Sequence, residues 1–385
     1  MTGPVVSIAV ATGVAAALAD FDATADRAGF VSGSPSYVIE LPNDLTREPA
    51  ILLYLLRDVC GFADLGPLEK TAWECTFAFR SVPASIAAHK TGVYLYLERS
   101  TLPDRGAARR TAGWLYAALR RGMAILENGA LRPFARQQLE LGNVTVLNQW
   151  HRLREMYEYF RAGAEAAYQG HGRIPAQMPG GGSRIFREET EGYYNAIATV
   201  NAYFSALEHI LLIAFPFARL DDPPALRSFL RMRWYEKFGA VFDLATDRRA
   251  KRVYDRLREV ADHYRNPHVH GGVDTRSGSV AFHLPGCGAV SLSLREPELT
   301  PSLFVVPFDR RGFGRATYTF SAVDTLLRTH RRTRYGLRWA DAGLDVAFDA
   351  HSMAAARDAS LNNRRFAEFL EARSRAWERA VNMEW

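Results

Sequence analysis

Residues 201–211 read N-A-Y-F-S-A-L-E-H-I-L and lie within a longer apolar segment, residues 194–215. Apolar side chains recur there every three or four positions, which is the period of a helix with one buried face. Pro216 follows directly and ends the predicted helix. The sequence therefore predicts a long amphipathic helix in a helical domain. The stripe consists of Ile197, Val200, Phe204, Leu207 and Leu211.

Two further helices are predicted after this one. Pro223 and Pro224 open a segment that we expect to be helical as far as Leu244. Residues 249–264 then carry apolar side chains on one face. Pro267 disfavours helical geometry for Asn266 before it, so we expect the third helix to stop at Tyr264 or Arg265.

The flanking regions contain strand patterns. Segments rich in β-branched and aromatic residues predict strands at residues 36–41, 75–79 and 93–97, with helical spacing at 50–59 and from Arg105 onward. Short strands separated by Gly and Pro are expected again between residues 279 and 320. They read S-V-A-F-H-L, A-V-S-L-S-L, L-F-V-V-P-F and A-T-Y-T-F.

These patterns place the chain in the α+β class, mainly α. We expect an N-terminal mixed α/β domain at residues 1–140, and a helix with a Gly/Pro-rich linker at 141–185. A helical bundle at 186–345 contains a strand-rich insertion at 279–320, and residues 346–385 form a charged C-terminal helix.

Composition indicates a globular protein in a reducing compartment. Of 385 residues, 48% are hydrophobic, and the three cysteines are far apart, so no disulfide framework is expected. The apolar run at residues 5–19 is shorter than the roughly 20 residues of a membrane span. We therefore expect a cytoplasmic protein without a membrane partner. The net charge of +6 comes almost entirely from arginine, which permits nucleic-acid binding without requiring it.

Polar residues are concentrated at 263–272, which read H-Y-R-N-P-H-V-H-G-G. A metal site is one interpretation of the histidines, but no cysteine or carboxylate-rich motif accompanies them, so we expect no metal and no cofactor. Acid–base chemistry on a phosphodiester is the other. The planar fork of Arg265 matches phosphate oxygens, His270 titrates near neutral pH, and Asn266 offers a donor and an acceptor. A capped, solvated helix end is the structural alternative.

The arrangement Arg265-Asn266-x-x-x-His270 resembles the signature of the HEPN superfamily. The upstream helix N-A-Y-F-S-A-L-E-H-I-L and the segments W-Y-E-K-F and Y-D-x-L-R contribute to this resemblance, which covers about residues 190–340. It implies a helical bundle that often dimerises, with two motifs facing each other across a cleft. Many such proteins are metal-independent endoribonucleases of toxin–antitoxin or anti-phage systems, and others are non-catalytic binding or scaffold modules.

The resemblance also implies roles for residues. Arg265 and His270 would be the catalytic pair and Asn266 their helper. From position alone, Glu208 is a candidate charge partner of Arg265, because it lies one turn past Phe204 on a neighbouring face, and His268, next to the turn, is a possible assistant. RNA, a second copy of the chain and an unidentified antitoxin or defence protein are the implied partners. Some family toxins carry a tyrosine two positions after the motif histidine, whereas this chain has Gly272. That difference argues against a paired nucleotidyltransferase antitoxin.

Overall fold

A computed structural model describes residues 4, 6–22, 35–67, 70–172, 184–220, 224–266, 281–291 and 308–382. Helices predominate and are accompanied by antiparallel strands, which confirms the predicted α+β, mainly α class. The chain divides into two compact units. Unit 1 consists of Met1–Leu141 and Ala372–Trp385, and unit 2 consists of Gly142–Glu371.

Unit 1 is an antiparallel sheet with helices on one apolar face. The strands are β1 (Phe21–Asp22), β2 (Ser36–Glu40), β3 (Ala63–Asp64), β4 (Thr71–Phe79), β5 (Val82–His89) and β6 (Gly92–Glu98). Their order in the sheet is β1-β4-β5-β6-β2, with β3 paired to β4. Inward-facing side chains alternate along the strands, as in Trp73, Cys75 and Phe77, and they share one core with the longest helix of the unit. The helices are α1 (Ile8–Ala17), α2 (Asn43–Thr46), α3 (Pro49–Leu53, continued by a π-turn at Tyr54–Val59), α4 (Arg105–Leu126, continued by a π-turn at Glu127–Leu131) and α5 (Arg132–Leu141).

Unit 2 is a helical bundle around one large core. The helices are α6 (Trp150–Tyr168), α7 (Arg184–Ala214), α8 (Leu226–Arg231), α9 (Trp234–Val241), α10 (Arg248–Val260), α11 (Arg310–Thr329), α12 (Arg334–Asp341) and α13 (Ala350–Ala359). Helix α6 packs along the longest helix, α7, which also contacts α9 and α12. The strands form two antiparallel pairs, β7 (Thr145–Val146) with the distant β10 (Val346–Ala347) and β8 (Ala281–Leu284) with β9 (Gly288–Ser291). Helix α14 (Asn363–Asn382) belongs to unit 2 as far as Glu371 and to unit 1 beyond it.

The apolar stripe predicted for residues 194–215 lies in α7, and the helix prediction is confirmed. Val200, Phe204, Leu207 and Leu211 are buried in the core of unit 2. The stretch Thr190–Phe217 is long and apolar enough to cross a membrane: an 18-residue window within it has a mean hydropathy of 1.4, but 61% of that window is buried within the structure. Such burial is typical of the core helix of a soluble protein.

Buried polar groups join α6, α7 and α11. The hydroxyl of Tyr203 on α7 lies 2.9 Å from an Asp324 carboxylate oxygen and 3.0 Å from the Phe320 carbonyl oxygen, both on α11. Asp324 also forms an ion pair of 3.1 Å with Arg154 on α6. Burial raises the pKa of Tyr203 well above its ordinary value, so the hydroxyl keeps its proton and donates it to these acceptors.

Two sequence predictions in unit 2 are wrong. Residues 316–320, predicted as a strand, lie inside α11, where Phe313, Ala316 and Phe320 continue a helical stripe that begins at the Asp309 N-cap. The predicted single helix at 223–244 is two helices, α8 and α9. Between them Arg233 is extended and its amide donates to Glu236, which starts a new helix. The predicted strand residues 303–307 lie outside the described residues.

The remaining strand predictions overlap observed strands. Residues 36–41, 75–79 and 93–97 fall in β2, β4 and β6, and 279–284 and 289–294 overlap β8 and β9. The helix predicted with the linker at 141–185 corresponds to α6, which packs within unit 2. Residues 173–183, most of the predicted linker, lie outside the described part of the chain.

Substitution of Gly336 should destabilise the protein strongly. A Cβ atom at this position of α12 would lie 2.3 Å from the Cα atom of Ala214 at the end of α7, so backbone would have to move. We expect Gly336→Ala to lower the free energy of unfolding by about 1–3 kcal/mol or more. Gly314 on α11 is the matched control, because a Cβ there meets nothing within 4 Å, and Ala should be neutral or stabilising by up to about 1 kcal/mol. Urea unfolding of both variants measures the difference, and equal stability would contradict this packing.

Removal of the Tyr203 hydroxyl tests the buried joint between α7 and α11. Tyr203→Phe keeps the ring but leaves the Asp324 carboxylate without this donor, so we expect a loss of about 1–3 kcal/mol in chemical unfolding. Tyr159→Phe removes a hydroxyl from a ring that is 68% exposed and should cost less than about 0.5 kcal/mol. A Tyr203→Phe variant as stable as Tyr159→Phe would show that the buried bond contributes nothing.

Candidate functional site at the end of helix α10

Helix α10 leads directly into the polar segment identified in the sequence. Asp247 caps its start by accepting from the amides of Arg249 and Ala250, both at 2.9 Å. At its end the helix widens into a π-turn, Ala261–Arg265, and Asn266 keeps helical backbone angles. Such single π-turns inside helices are frequent at functional sites, because the extra residue changes the direction of the side chains that follow.

The π-turn ends at Arg265, one of the two positions at which the sequence predicts the helix to stop, and the residues after Asn266 lie outside the described part of the chain. Asn266 is helical although a proline follows it. Its amide group donates to the Asp262 carboxylate at 3.1 Å, one turn back, and this bond stabilises the helical conformation that Pro267 disfavours. The same bond holds the exposed Asn266 side chain along its own helix.

Arg265 lies against an aromatic side chain of α7. The guanidinium carbon is 5.0 Å from the centre of the Phe204 ring, within the range of a cation–π contact. Its Nε atom is buried, and no described residue accepts a hydrogen bond from the guanidinium. Burial lowers the pKa of Arg265, and the negative charge of Glu208 partly opposes this effect. The side chain is nonetheless a permanent cation, since an arginine pKa stays far above neutral pH.

Glu208 lies between two cations. On the next turn of α7 after Phe204, its carboxylate is 3.9 Å from the ammonium of Lys237 on α9. The Lys237 side chain is only 9% exposed and that of Glu208 34% exposed. Glu208 acts on Arg265 through its charge, whereas the ion pair found among the described residues is the one with Lys237. Sequence reasoning proposed Glu208 as the charge partner of Arg265 and gave Lys237 no role.

The three histidines of this segment fall into two groups. His263 donates from Nδ1 to the Glu259 carbonyl oxygen at 2.7 Å, within its own helix. The neighbouring Tyr264 ring stacks on Phe308 with ring centres 3.9 Å apart and is directed toward α11. His268 and His270 lie outside the described residues, so the structure brings Arg265, Asn266 and Glu208 to this end of α10 and gives no position for either histidine.

The described side chains suit anion recognition. The Arg265 guanidinium lies on an aromatic ring and has no hydrogen-bond acceptor among the described residues, so its two terminal nitrogens keep their donors available for a bidentate contact with two oxygens. Phe204 itself is held by Trp234, whose ring centre is 4.9 Å away, so the support under Arg265 is packed. Within the described ranges, no group of three His, Cys, Asp or Glu side chains is arranged to hold a metal ion.

Comparisons with protein-family models, with curated proteins and with solved structures found no match for this chain. The class of protein must therefore be argued from the residues at the end of α10.

A double-mutant cycle on Glu208 and Lys237 tests the charge arrangement. Glu208→Gln removes the partner of a nearly buried ammonium, so we expect a loss of about 1–2 kcal/mol in unfolding free energy, less than for a fully buried pair because Glu208 is one-third exposed. The double variant Glu208→Gln/Lys237→Met should recover most of this loss, with a coupling of at least about 0.5 kcal/mol.

The control is an exposed pair of the same type. Glu368→Gln on α14 breaks the ion pair with Arg364 and should change stability by less than about 0.5 kcal/mol. Additive effects of the Glu208 and Lys237 substitutions would contradict the pairing.

Proposed function

We propose that this chain is a metal-independent endoribonuclease of the HEPN type. The observation that supports the proposal most is the state of Arg265. Its guanidinium lies on Phe204 and has no hydrogen-bond partner among the described residues, immediately before the Asn266-x-x-x-His270 sequence. An arginine placed to bind phosphate oxygens and a histidine five residues later are the two groups that RNA cleavage needs.

The proposed reaction uses the RNA's own 2′-hydroxyl. His270 removes the proton of that hydroxyl as the oxygen attacks the adjacent phosphorus, and Arg265 stabilises the additional negative charge of the pentacoordinate phosphorus. The bond to the 5′-oxygen then breaks, and the protonated His270 returns its proton to that oxygen. The products are a 2′,3′-cyclic phosphate and a 5′-hydroxyl. Asn266 orients the RNA or the imidazole, and His268 is a further candidate for proton transfer.

We further propose a homodimer in the cytoplasm, in which two such motifs share one cleft. Its target would be cellular or phage RNA during defence or a toxin-like stress response, under the control of an antitoxin or defence partner. The reducing compartment indicated by the three separated cysteines supports the cytoplasmic setting, and the net charge of +6 is compatible with an RNA target.

A non-catalytic HEPN module that binds nucleotide or RNA, or acts as an oligomerisation scaffold, is the second candidate. It is favoured by one observation, since the Asn266 side chain is bonded to Asp262 on its own helix instead of being free for a substrate. The two candidates differ in whether RNA is cleaved after it is bound.

The test is cleavage of labelled single-stranded RNA by purified protein with and without EDTA. We expect wild type to cut in both conditions and to leave 2′,3′-cyclic phosphate ends. His270→Ala and Arg265→Ala should each be slower by about 10²–10⁴-fold, the usual contribution of one acid–base or charge-stabilising group. His263→Ala is the control, because His263 bonds within its own helix, and it should cleave like wild type.

Equal cleavage by wild type and His270→Ala would contradict the proposal, and so would loss of cleavage in EDTA. Binding of intact RNA without any cleavage would support the second candidate. A 2′-deoxy substitution at the cleaved nucleotide should protect that bond completely, because the nucleophile is then missing.

A further inference from the structure

Helices α10 and α11 lie side by side and run in opposite directions. His330, just after α11, contacts Asp247, just before α10, with 3.1 Å between Nε2 and Oδ2. At the other end Tyr264, after α10, stacks on Phe308, just before α11, with ring centres 3.9 Å apart. The two helices therefore form one antiparallel pair with a continuous outer face.

Positive charge is concentrated on this pair. Helix α10 carries six basic and two acidic side chains, and α11 carries four basic and one acidic side chain. The resulting excess of seven is larger than the net charge of +6 of the whole chain. Two of the three acidic side chains already form ion pairs, Asp255 with Lys251 and Asp324 with Arg154.

The arginines form rows on the exposed side. Arg248, Arg252 and Arg256 follow one another at successive turns of α10, and Arg311 and Arg315 do so on α11. All five are exposed, and none makes an ion pair with a residue that the structure describes. Like charges four residues apart destabilise a helix, so the stability of α10 does not explain this row. A high arginine content accounts for arginine in place of lysine, but not for three arginines on one face.

An exposed aromatic ring accompanies the arginines. Tyr318 lies one turn beyond Arg315 on α11 and is 69% exposed. It is the only exposed large apolar side chain on these two helices, both of which are described over their full lengths. A membrane-binding face needs a broad apolar area, which is missing here. A basic surface with an isolated aromatic ring is instead the combination that binds single-stranded nucleic acid, through phosphate contacts and base stacking.

We propose that the outer face of α10 and α11 binds single-stranded RNA, with Arg248, Arg252, Arg256 and Arg311 on the phosphates and Tyr318 stacked on a base. The choice of RNA as the polymer rests on the endoribonuclease function proposed above. Arg265 follows Arg256 by nine residues, a rise of about 14 Å along the helix, so one short RNA segment spans the surface and the end of α10. The surface binds the strand, and the residues at the end of α10 act on it.

The experiment measures binding of a fluorescent, unstructured oligonucleotide of 2′-O-methyl RNA. This probe lacks the 2′-hydroxyl nucleophile, so its binding is measured whether or not the protein is a nuclease. At about 0.1 M salt we expect Arg252→Glu/Arg256→Glu to bind about tenfold more weakly or worse. The slope of log K against log salt should fall by about 1.4, at about 0.7 per lost phosphate contact on a single strand.

The matched control reverses two exposed arginines with the same spacing on α4. Arg105→Glu/Arg109→Glu makes the same change in net charge, and it should bind like wild type. Tyr318→Ala should weaken binding about tenfold through the loss of stacking, while Tyr318→Phe, which keeps the ring, should not. Circular dichroism verifies that each variant keeps its helices.

Equal losses in the α10 and α4 variants would overturn the proposal, because binding would then follow net charge alone. Unchanged binding in Arg252→Glu/Arg256→Glu would also overturn it. Insensitivity to Tyr318→Ala together with equal affinity for duplex RNA would overturn the single-strand assignment. If the surface variants fail to bind but unmodified RNA is never cut by wild type, the surface is supported and the endoribonuclease function fails.

Discussion

The buried hydroxyl of Tyr203 fixes the position of α7, on which the rest of unit 2 depends. Its proton is donated to acceptors on α11, its ring stacks on Phe320 with centres 3.9 Å apart, and Asp324 passes the interaction on to Arg154 of α6. The Asp324 side chain is 22% exposed, and loss of these partners would leave a partly buried carboxylate unpaired, so the bonds favour one register of the three helices. The next residue, Phe204, is thereby placed as the ring beneath Arg265. The hydrogen bond of Tyr203 that holds the helices together and the contact of Phe204 with Arg265 are thus made by consecutive residues of α7.

Among the described residues, two cations, Lys237 and Arg265, lie near the single carboxylate of Glu208. Glu208 is shared between a nearly buried Lys237 and a half-buried Arg265, and only the first is close enough for an ion pair. Lys237 holds the carboxylate in place, and Arg265 receives a weaker, longer-range attraction. In partly desolvated surroundings an excess cation is stabilised by any anion that arrives. Phosphate binding at Arg265 would therefore balance a positive charge that has no ion-pair partner among the described residues.

Periodicity predicted the elements that bury a regular stripe, and it failed where tertiary contacts decide. The stripe of α7 and the strands β2, β4 and β6 followed from local pattern. Strand β5 was missed because V-P-A-S-I-A-A-H combines a proline with small residues of low strand propensity, although it lies at the centre of the sheet. Residues 316–320 alternate like a strand, but Phe313 before them and Val323 after them bury the same helical face. The break between α8 and α9 depends on a capping bond from Glu236 that no apolar pattern reveals.

The candidate site was partly predictable for the same reason. Arg265, Asn266 and Glu208 could be selected by residue type and spacing, and the structure brings all three to one end of α10. Packing among α7, α9 and α10 decides the other features of the site, which are the π-turn, the Phe204 ring and the buried Lys237. The sequence gives only a weak indication of one of them, because Lys237 lies between Glu236 and Phe238 in an apolar helix.

The π-turn connects the two functional proposals in physical terms. Along α10 the exposed arginines occupy one face, whereas Arg265 is directed back toward α7 and Tyr264 toward α11. Consecutive helix positions differ by about 100° in direction, and the additional residue of the π-turn sets which neighbour each of the two side chains meets. Tyr264 packs α10 against α11, the pair that carries the basic surface, and the next residue, Arg265, places a cation beside the Asn266-x-x-x-His270 sequence. Loss of the π-turn would rotate Tyr264 away from Phe308 and Arg265 away from Phe204. The basic surface and the candidate catalytic Arg265 are therefore parts of one helical element.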